Sequence, residues 1–357
     1  MFIYYCLYAC IGFTAIITQR CKTQQQKNKI MCWTCFALIT LLLALRHETM
    51  GTDLMLSNNY SGYLYSYDKL GQMSWIEVLR LDSYVNYERG FIIFNKLIHF
   101  ISFGSRQIFL AACAVLSILP IALVYDRESP SPALSFIIYL GLPIFLLTFS
   151  GLRQSIAIAI CLYSLVMIQK KKPFFFILLI LLASTFHKTA WVCLVAYPVY
   201  HIRLNFGVRI FSAFLAPACY VMRYPLFKIF SGLIKDNVTL DNNNSITLLL
   251  VFFAIYFFCI FFYDESKEQN GYLNLFFLAI LCQTFSGLYS TAIRIGYYFM
   301  SFLPLLLPLT IGSMKKKSDR SLITIIIVVC FVVFGLYCFS KDSFAETNPY
   351  YFFWEQV

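Results

Sequence analysis

The chain has 357 residues, of which 60% are hydrophobic and 13% are charged, and its formal net charge is +11. A soluble domain averages roughly 45–50% apolar and about 25% charged residues, so this composition excludes a soluble enzyme. The basic residues lie in short connections between apolar runs, where they set orientation in a membrane and do not indicate a nucleic-acid partner. We therefore predict an all-α integral membrane protein.

The apolar runs, taken in chain order, predict the number of membrane crossings. A transmembrane helix needs about 20 apolar residues, or fewer when flanking groups snorkel. We predict about 12 such helices in a single polytopic membrane domain, residues 1–357. The predicted spans are Phe2–Thr18, Ile30–Leu45, Gln107–Tyr125, Pro132–Phe149, Ile156–Ile168, Phe174–Phe186, Ala190–Tyr200, Ile210–Tyr224, Ile246–Tyr263, Tyr272–Tyr289, Ile295–Ile311 and Leu322–Phe339.

Two lysine clusters, Lys170–Lys172 and Lys315–Lys317, predict which side of the membrane each connection occupies. Clustered lysines stay in the cytoplasm, and counting spans from them places residues 46 and 106 outside. The apolar stretch Phe91–Phe103 therefore cannot be a single crossing. We predict an external loop region over 46–106 with amphipathic helices, and an interfacial or re-entrant helical segment near 74–104.

Motifs for nucleotides and metals are absent from the sequence. There is no Walker loop, no GxGxxG and no HExxH, and the CxxC pair of Cys32 and Cys35 lies in a span without a second pair. Most of the 13 Cys lie inside apolar runs, where a thiol packs as a small hydrophobe. We predict neither a cofactor nor a metal site.

Ionisable residues at the outer ends of predicted spans are the candidates for chemistry: Arg46, Asp53, Arg153, His187 and Arg294. A guanidinium near hydrocarbon is costly, and its flat fork of donors fits phosphate oxygens two at a time. Arg153 opens a predicted helix, whose N-terminus also favours a bound phosphate. The ordinary pKa of a histidine side chain is near neutrality, which makes His187 the nearest candidate for general-base chemistry.

Each of these residues also has a structural explanation. The arginines can be snorkelling or stop-transfer residues, His187 can simply end a span, and Asp53 can belong to a Gly-Thr-Asp turn or pair with Arg46. A shared anionic site explains why three arginines occupy one face. We leave both explanations open at this stage.

The ordered set of motifs resembles the Wzy-type polysaccharide repeat-unit polymerases, and specifically their EpsG-like branch. The matching pieces are Arg46 with Gly51-Thr52-Asp53 and Tyr60, Glu88-Arg89-Gly90-Phe91, Leu152-Arg153-Gln154-Ser155-Ile156-Ala157, Ala183 to Ala190, Arg294 with Tyr297-Tyr298-Phe299, and Asn348-Pro349-Tyr350. The resemblance runs over nearly the whole chain, in order and at plausible spacing.

The resemblance implies a metal- and nucleotide-independent glycosyltransferase in the bacterial inner membrane, with its active site facing the periplasm. Its substrates would be undecaprenyl-diphosphate-linked oligosaccharides, joined into O-antigen or a related polysaccharide. Membrane lipids and a chain-length regulator protein are the further partners that it implies.

Roles for individual residues follow from the resemblance together with the chemistry. A lipid diphosphate gains negative charge as it leaves, so donors aimed at it lower the barrier. We expect the diphosphate to be held by Arg153, Arg294 and Arg46. We expect catalysis from Arg153 with His187 or Asp53 as the base, which the sequence does not decide. The expected substrate-binding residues are Gln154, Tyr60, Glu88 and Tyr297.

Three other functions compete with the polymerase. A flippase or transporter of lipid-linked sugars predicts polar groups at mid-membrane, whereas the inner halves of these spans are apolar. A polysaccharide ligase would use the same Arg and His chemistry, so only the resemblance separates it. A membrane acyltransferase predicts a histidine deep in a span beside Asn or Asp, which His187 does not match.

Overall fold

The computed structural model describes residues 1–55, 62–81, 84–233, 246–263, 266–341 and 345–356, and within these ranges its regular structure is helical. The helices fall into two compact units, Met1–Trp191 with Thr324–Val357, and Val192–Ile323. The helices that begin in the first unit are α1 Phe2–Thr18, α2 Gln24–Ala44, α3 Tyr63–Gln72, α4 Trp75–Arg80, α5 Arg89–Ile101, α6 Arg106–Glu128, α7 Pro132–Leu140, α8 Pro143–Leu146, α9 Leu152–Tyr163, α10 Leu165–Gln169, α11 Pro173–Phe186 and a 3-10 helix Lys188–Val195.

The second unit is also helical in its described part. Its helices are α12 Ala196–His201, α13 Phe206–Val221, α14 Arg223–Leu233, α15 Ile246–Phe261, α16 Lys267–Thr284, α17 Ser290–Met300 and α18 Leu303–Gly312. The last helix, α19 Lys317–Ser340, begins in the second unit and continues into the first.

The all-helical membrane class is confirmed, but the count of about 12 spans is not. Four helices among the described residues are long and apolar enough to cross a membrane, or up to six if two bent pairs each count as one span. The predicted run Pro132–Phe149 shows why the counts differ. It breaks between α7 and α8, where Pro143 lacks an N–H and disfavours helix in the residue before it.

Helix α9 lies at the centre of the first unit and packs against α6 on one side and α11 on another. Helices α9 and α10 together form a candidate span of 18 residues, Leu152–Gln169, and 72% of these residues are buried. The hydroxyls of Ser117 on α6 and Ser155 on α9 lie 2.9 Å apart and form a buried hydrogen bond. Burial on several faces fixes the direction in which the first turn of α9 presents its side chains.

Residues 62–106 form three helices, α3 to α5, none of which is among the described helices able to span a membrane. Helix α4 begins with a capping box, in which Ser74 and Glu77 each satisfy the other's backbone N–H. Helix α5 buries Phe91 and Asn95 and exposes Phe100, as an amphipathic helix does. A location in the membrane interface stays a prediction for this segment.

The C-terminal segment returns to the end of α2. The backbone N–H of His47 donates to the carbonyl of Tyr351 at 2.8 Å, and the N–H of Phe353 donates to the carbonyl of Leu45 at 2.9 Å. These two bonds place the segment beside Arg46.

Candidate functional site

Arg153 lies in the first turn of α9 and is held from several sides. Its Nη1 donates to Oε2 of Glu88 at 2.5 Å and to the carbonyl of Asn86 at 2.9 Å, and its Nε donates to the Tyr63 hydroxyl at 3.3 Å. The guanidinium carbon lies 4.6 Å from the ring centre of Tyr87, a cation–π distance. Its Nη2 has no protein partner in the described ranges, so one edge of the guanidinium stays available to a ligand.

Glu88 connects Arg153 to the second sequence motif. While Oε2 pairs with Arg153, Oε1 accepts a hydrogen bond from the backbone N–H of Lys188 at 2.9 Å. The same Oε1 lies 3.4 Å from Nδ1 of His187. A single carboxylate therefore ties the start of α9 to the end of α11.

The environment of Glu88 favours its charged form. Burial alone would raise its pKa, but the His187 ring, the Lys188 amide and the Arg153 charge outweigh burial and lower the pKa from 4.5 to about 2. The side chains of Glu88 and Arg153 are only 14% and 17% exposed, so water screens this ion pair weakly. The carboxylate is ionised throughout the physiological pH range.

Gly90 explains how α5 comes close enough to α11 for Glu88 to reach its partners. A Cβ at this position would lie 2.2 Å from the hydroxyl and 2.8 Å from the backbone oxygen of Thr185. Any larger residue would push the start of α5 away from the end of α11. The glycine of the Glu88-Arg89-Gly90 motif therefore serves the geometry of its neighbour Glu88.

His187 is the C-cap residue of α11 and is 8% exposed. Both of its ring nitrogens are buried, and neither has a hydrogen-bond partner in the part of the chain that the structure describes. Leaving a buried polar group unpaired costs about 1–3 kcal/mol. A hydroxyl that entered beside the ring would supply the missing partner.

Asp53 lies near the same cluster through Tyr63. Its carbonyl accepts a hydrogen bond from the Tyr63 N–H at 2.9 Å, and its side chain is exposed. Burial raises the pKa of the Tyr63 hydroxyl, Arg153 opposes this rise, and the Asp53 carboxylate adds to it. Both candidate bases, His187 and Asp53, therefore adjoin residues that contact Arg153. Gln154 follows Arg153 in α9 and is buried.

Arg46 has a different environment. It is 1% exposed, its Nη1 donates to the carbonyl of Thr148 at 3.2 Å, and its guanidinium lies 5.0 Å from the ring centre of Phe149. Its Nε is buried without a hydrogen-bond partner among the described residues. Burial lowers the pKa of Arg46 to about 10, which leaves it charged at neutral pH. Within the described ranges, no hydrogen bond or ion pair joins it to Arg153, Glu88 or His187.

Gly51 sets the distance between the turn after Arg46 and Phe149. Its φ of +119° suits glycine, and a Cβ there would lie 2.3 Å from the carbonyl oxygen of Phe149. Close packing against Phe149 therefore explains why the first motif has a glycine at position 51.

The remaining predicted site residues lie elsewhere in the chain. Arg294 and Tyr297 belong to α17 of the second unit, where Arg294 is exposed and Tyr297 is half-buried. Tyr60 lies outside the described residues. Their roles stay predictions. No group of three His, Cys, Asp or Glu side chains able to hold a metal ion occurs among the residues that the structure describes.

The sequence analysis assigned no role to three residues of the cluster: Tyr63, Tyr87 and Asn86. A signal for Tyr63 was present, because buried Tyr63, Tyr67 and Leu70 follow helical spacing along one face of α3. Asn86 contributes its backbone carbonyl from a residue with a φ of 62°, and side-chain patterns do not reveal a backbone contact of this kind.

Comparisons with known proteins identify the family of the chain. No curated protein and no solved structure matches the chain. A family model described as the EpsG family matches residues 29–352, which is most of the chain and includes every residue of the Arg153 cluster. The chain therefore belongs to the EpsG family, a family of Wzy-like polymerases, as the ordered motifs predicted.

Proposed function

We propose that this membrane protein joins lipid-diphosphate-linked oligosaccharide repeat units into a polysaccharide on the outer face of the bacterial inner membrane. Membership of the EpsG family supports a membrane polysaccharide polymerase in general terms. The observation that carries the finer proposal is the cluster in which Glu88 joins Arg153 to His187 and to the Lys188 amide.

The reaction needs three tasks from the protein. The acceptor hydroxyl attacks the anomeric carbon of the donor, the bond from that carbon to the diphosphate oxygen breaks, and the leaving diphosphate keeps the electron pair. A cation must stabilise the leaving group, a base must take the hydroxyl proton, and water must be excluded. Arg153 binds the diphosphate through its Nη2 edge, and Arg46 and Arg294 keep the anion-binding role that the sequence predicts for them.

The position of Glu88 favours His187 over Asp53 as the base. When His187 accepts the proton it becomes a cation, and the Glu88 carboxylate 3.4 Å away stabilises that cation. Glu88 is then a positioning residue that also orients Arg153. Gln154, Tyr60 and Tyr297 are assigned to the sugar units, and the apolar helices to the lipid chains.

Reconstitution with lipid-linked repeat unit tests the proposal. The purified chain, placed in vesicles without any nucleotide sugar, is expected to produce a ladder of polymers on a gel. Arg153→Ala should abolish the ladder and His187→Gln should slow it by about 10²–10⁴-fold, the usual contribution of a general base. Arg127→Ala is the matched control: the Arg127 side chain is 43% exposed and pairs with Glu128 outside the Arg153 cluster, so the variant should retain full activity.

Two results would overturn the proposal. One is the absence of any ladder from well-folded protein while lipid-linked sugar crosses the vesicle membrane, which is flippase behaviour. The other is transfer of preformed polysaccharide to a lipid A core with no elongation, which is ligase behaviour.

A further inference from the structure

The second unit contains an open cavity of about 560 Å³ at one end of its helices. Its lining residues come from the connection between α12 and α13, the start of α13, the end of α15, the connection that follows it and the start of α16. Its polar lining comprises Arg203, Asn205, Arg209, Tyr263, Ser266 and Asn270. None of these residues is used in the proposed polymerase reaction.

Arg209 forms the buried wall of this cavity. It is 2% exposed, and its Nη2 donates to the Tyr263 hydroxyl and to the Asn270 side-chain oxygen, both at 2.6 Å. Its Nε donates to the carbonyl of Leu204 at 2.9 Å, and the guanidinium stacks 3.4 Å from the Tyr263 ring centre. Its Nη1 is buried without a hydrogen-bond partner among the described residues. A buried cationic donor without an acceptor is costly, and an anion that entered beside Nη1 would remove that cost.

Two helix N-termini open onto the same cavity. Asn205 is the N-cap of α13 and Ser266 is the N-cap of α16, and both line the cavity. These helices have 16 and 18 residues, long enough for each to carry partial positive charge at its first turn. Arg203 adds a second, exposed guanidinium. The two helix N-termini and the arginine side chains therefore all favour a negatively charged ligand.

The edge of the cavity is apolar. Phe206 is 60% exposed and Phe261 is 84% exposed, and both line it. Two arginines, two helix N-termini and an apolar edge together suit a phosphate group, including one that carries hydrocarbon chains. The sequence predicts that both connections face the cytoplasm, where anionic lipid headgroups are plentiful.

We propose that this cavity is a phosphate-binding site, which takes either the headgroup of an anionic lipid or a free phosphate. The proposal does not depend on the polymerase reaction. Asp264 and Glu265 lie between Tyr263 and Ser266 in the sequence and outside the described residues, so the experiment has to address their charge as well.

Binding to the purified full-length chain tests the site. The probes are a fluorescent short-chain phosphatidic acid and inorganic phosphate, with phosphatidylcholine as the uncharged comparison. Saturable binding of the acidic lipid is expected, and Arg203→Gln should weaken it about tenfold, since one charge-assisted contact is lost from an exposed position where folding is unaffected. Arg209→Lys, which keeps the charge but loses the planar fork, should weaken binding further.

Arg223→Gln is the matched control, because Arg223 stacks on Tyr220 and Tyr224 of the same unit and does not line the cavity. Displacement of the lipid by inorganic phosphate would identify free phosphate as a ligand, and failure of phosphate to displace it would identify the lipid headgroup. Equal binding by wild type, Arg203→Gln and Arg223→Gln would overturn the proposal. So would binding that appears only after Asp264→Asn with Glu265→Gln, because the chain's own acids would then neutralise the site.

Discussion

Replacing Glu88 by glutamine tests whether one carboxylate holds the Arg153 cluster together. The substitution keeps the size of the side chain and an oxygen for the Lys188 N–H, but it removes the charge that pairs with Arg153 at 2.5 Å. The lowering of the Glu88 pKa from 4.5 to about 2 corresponds to about 3 kcal/mol of stabilisation by its surroundings. This agrees with the loss of about 3–5 kcal/mol that follows when a buried ion pair loses one partner.

The sign of the pH dependence follows from the lowered pKa. A carboxyl whose pKa falls on folding adds stability that is complete above its unfolded pKa, about 4.5, and is lost as the pH falls through about 2. Glu88→Gln should therefore be about 3 kcal/mol less stable than wild type from pH 5 to 7. The difference should shrink steadily between about pH 4.5 and 2.

Thermal unfolding in detergent, followed by circular dichroism, measures this difference. The assay suits the chain because its described regular structure is helical, and the helical signal can be read at every pH in this range. Glu346→Gln is the control, because Glu346 is exposed. Parallel stability curves for Glu88→Gln and wild type across this pH range would refute the reasoning.

Three further predictions concern the same cluster. Gly90→Ala forces a Cβ to within 2.2 Å of Thr185, so it should destabilise by about 1–3 kcal/mol in the same assay, whereas Gly12→Ala, with open space around it, should not. Arg153→Lys keeps the charge but cannot bridge Glu88 and a diphosphate, so kcat/KM for polymerisation should fall at least tenfold; unchanged kinetics would argue against a forked contact. Tyr63→Phe removes one hydrogen bond to Arg153 and should cost only about 0.5–1.5 kcal/mol, measured as a smaller shift in unfolding than for Glu88→Gln.

The sequence named Arg153, His187 and, as an expected substrate-binding residue, Glu88, but it did not reveal that Glu88 joins the other two. Arg153 and His187 were recognisable because ionisable side chains stood out against long apolar runs. Glu88 is 65 residues from Arg153 and 100 residues from Lys188 along the chain, so their contact depends on how α5, α9 and α11 pack. Patterns within one segment do not contain that information.

The predicted count of about 12 membrane crossings is not confirmed, for a related reason. Hydropathy records whether a stretch is apolar and not whether its backbone is continuous. The predicted span Ala190–Tyr200 divides between a 3-10 helix and the six-residue helix α12, and Phe2–Thr18 and Ile246–Phe261 are shorter than a full span. The helical class follows from composition, whereas helix length and breaks depend on local packing and proline.

The way Glu88 divides its two oxygens has a consequence for natural variation among relatives. Oε1 accepts a hydrogen bond from the main-chain N–H of Lys188, whereas Oε2 pairs with the side chain of Arg153. Substitutions at positions 188 and 153 should therefore have very different effects on Glu88. Any residue except proline at position 188 supplies the backbone N–H, so the hydrogen bond to Glu88 does not restrict which side chain occurs there. An aspartate at 88 is one methylene shorter and cannot reach both partners. In distant members of the family we therefore expect positions 88 and 153 to change together or not at all, while position 188 varies.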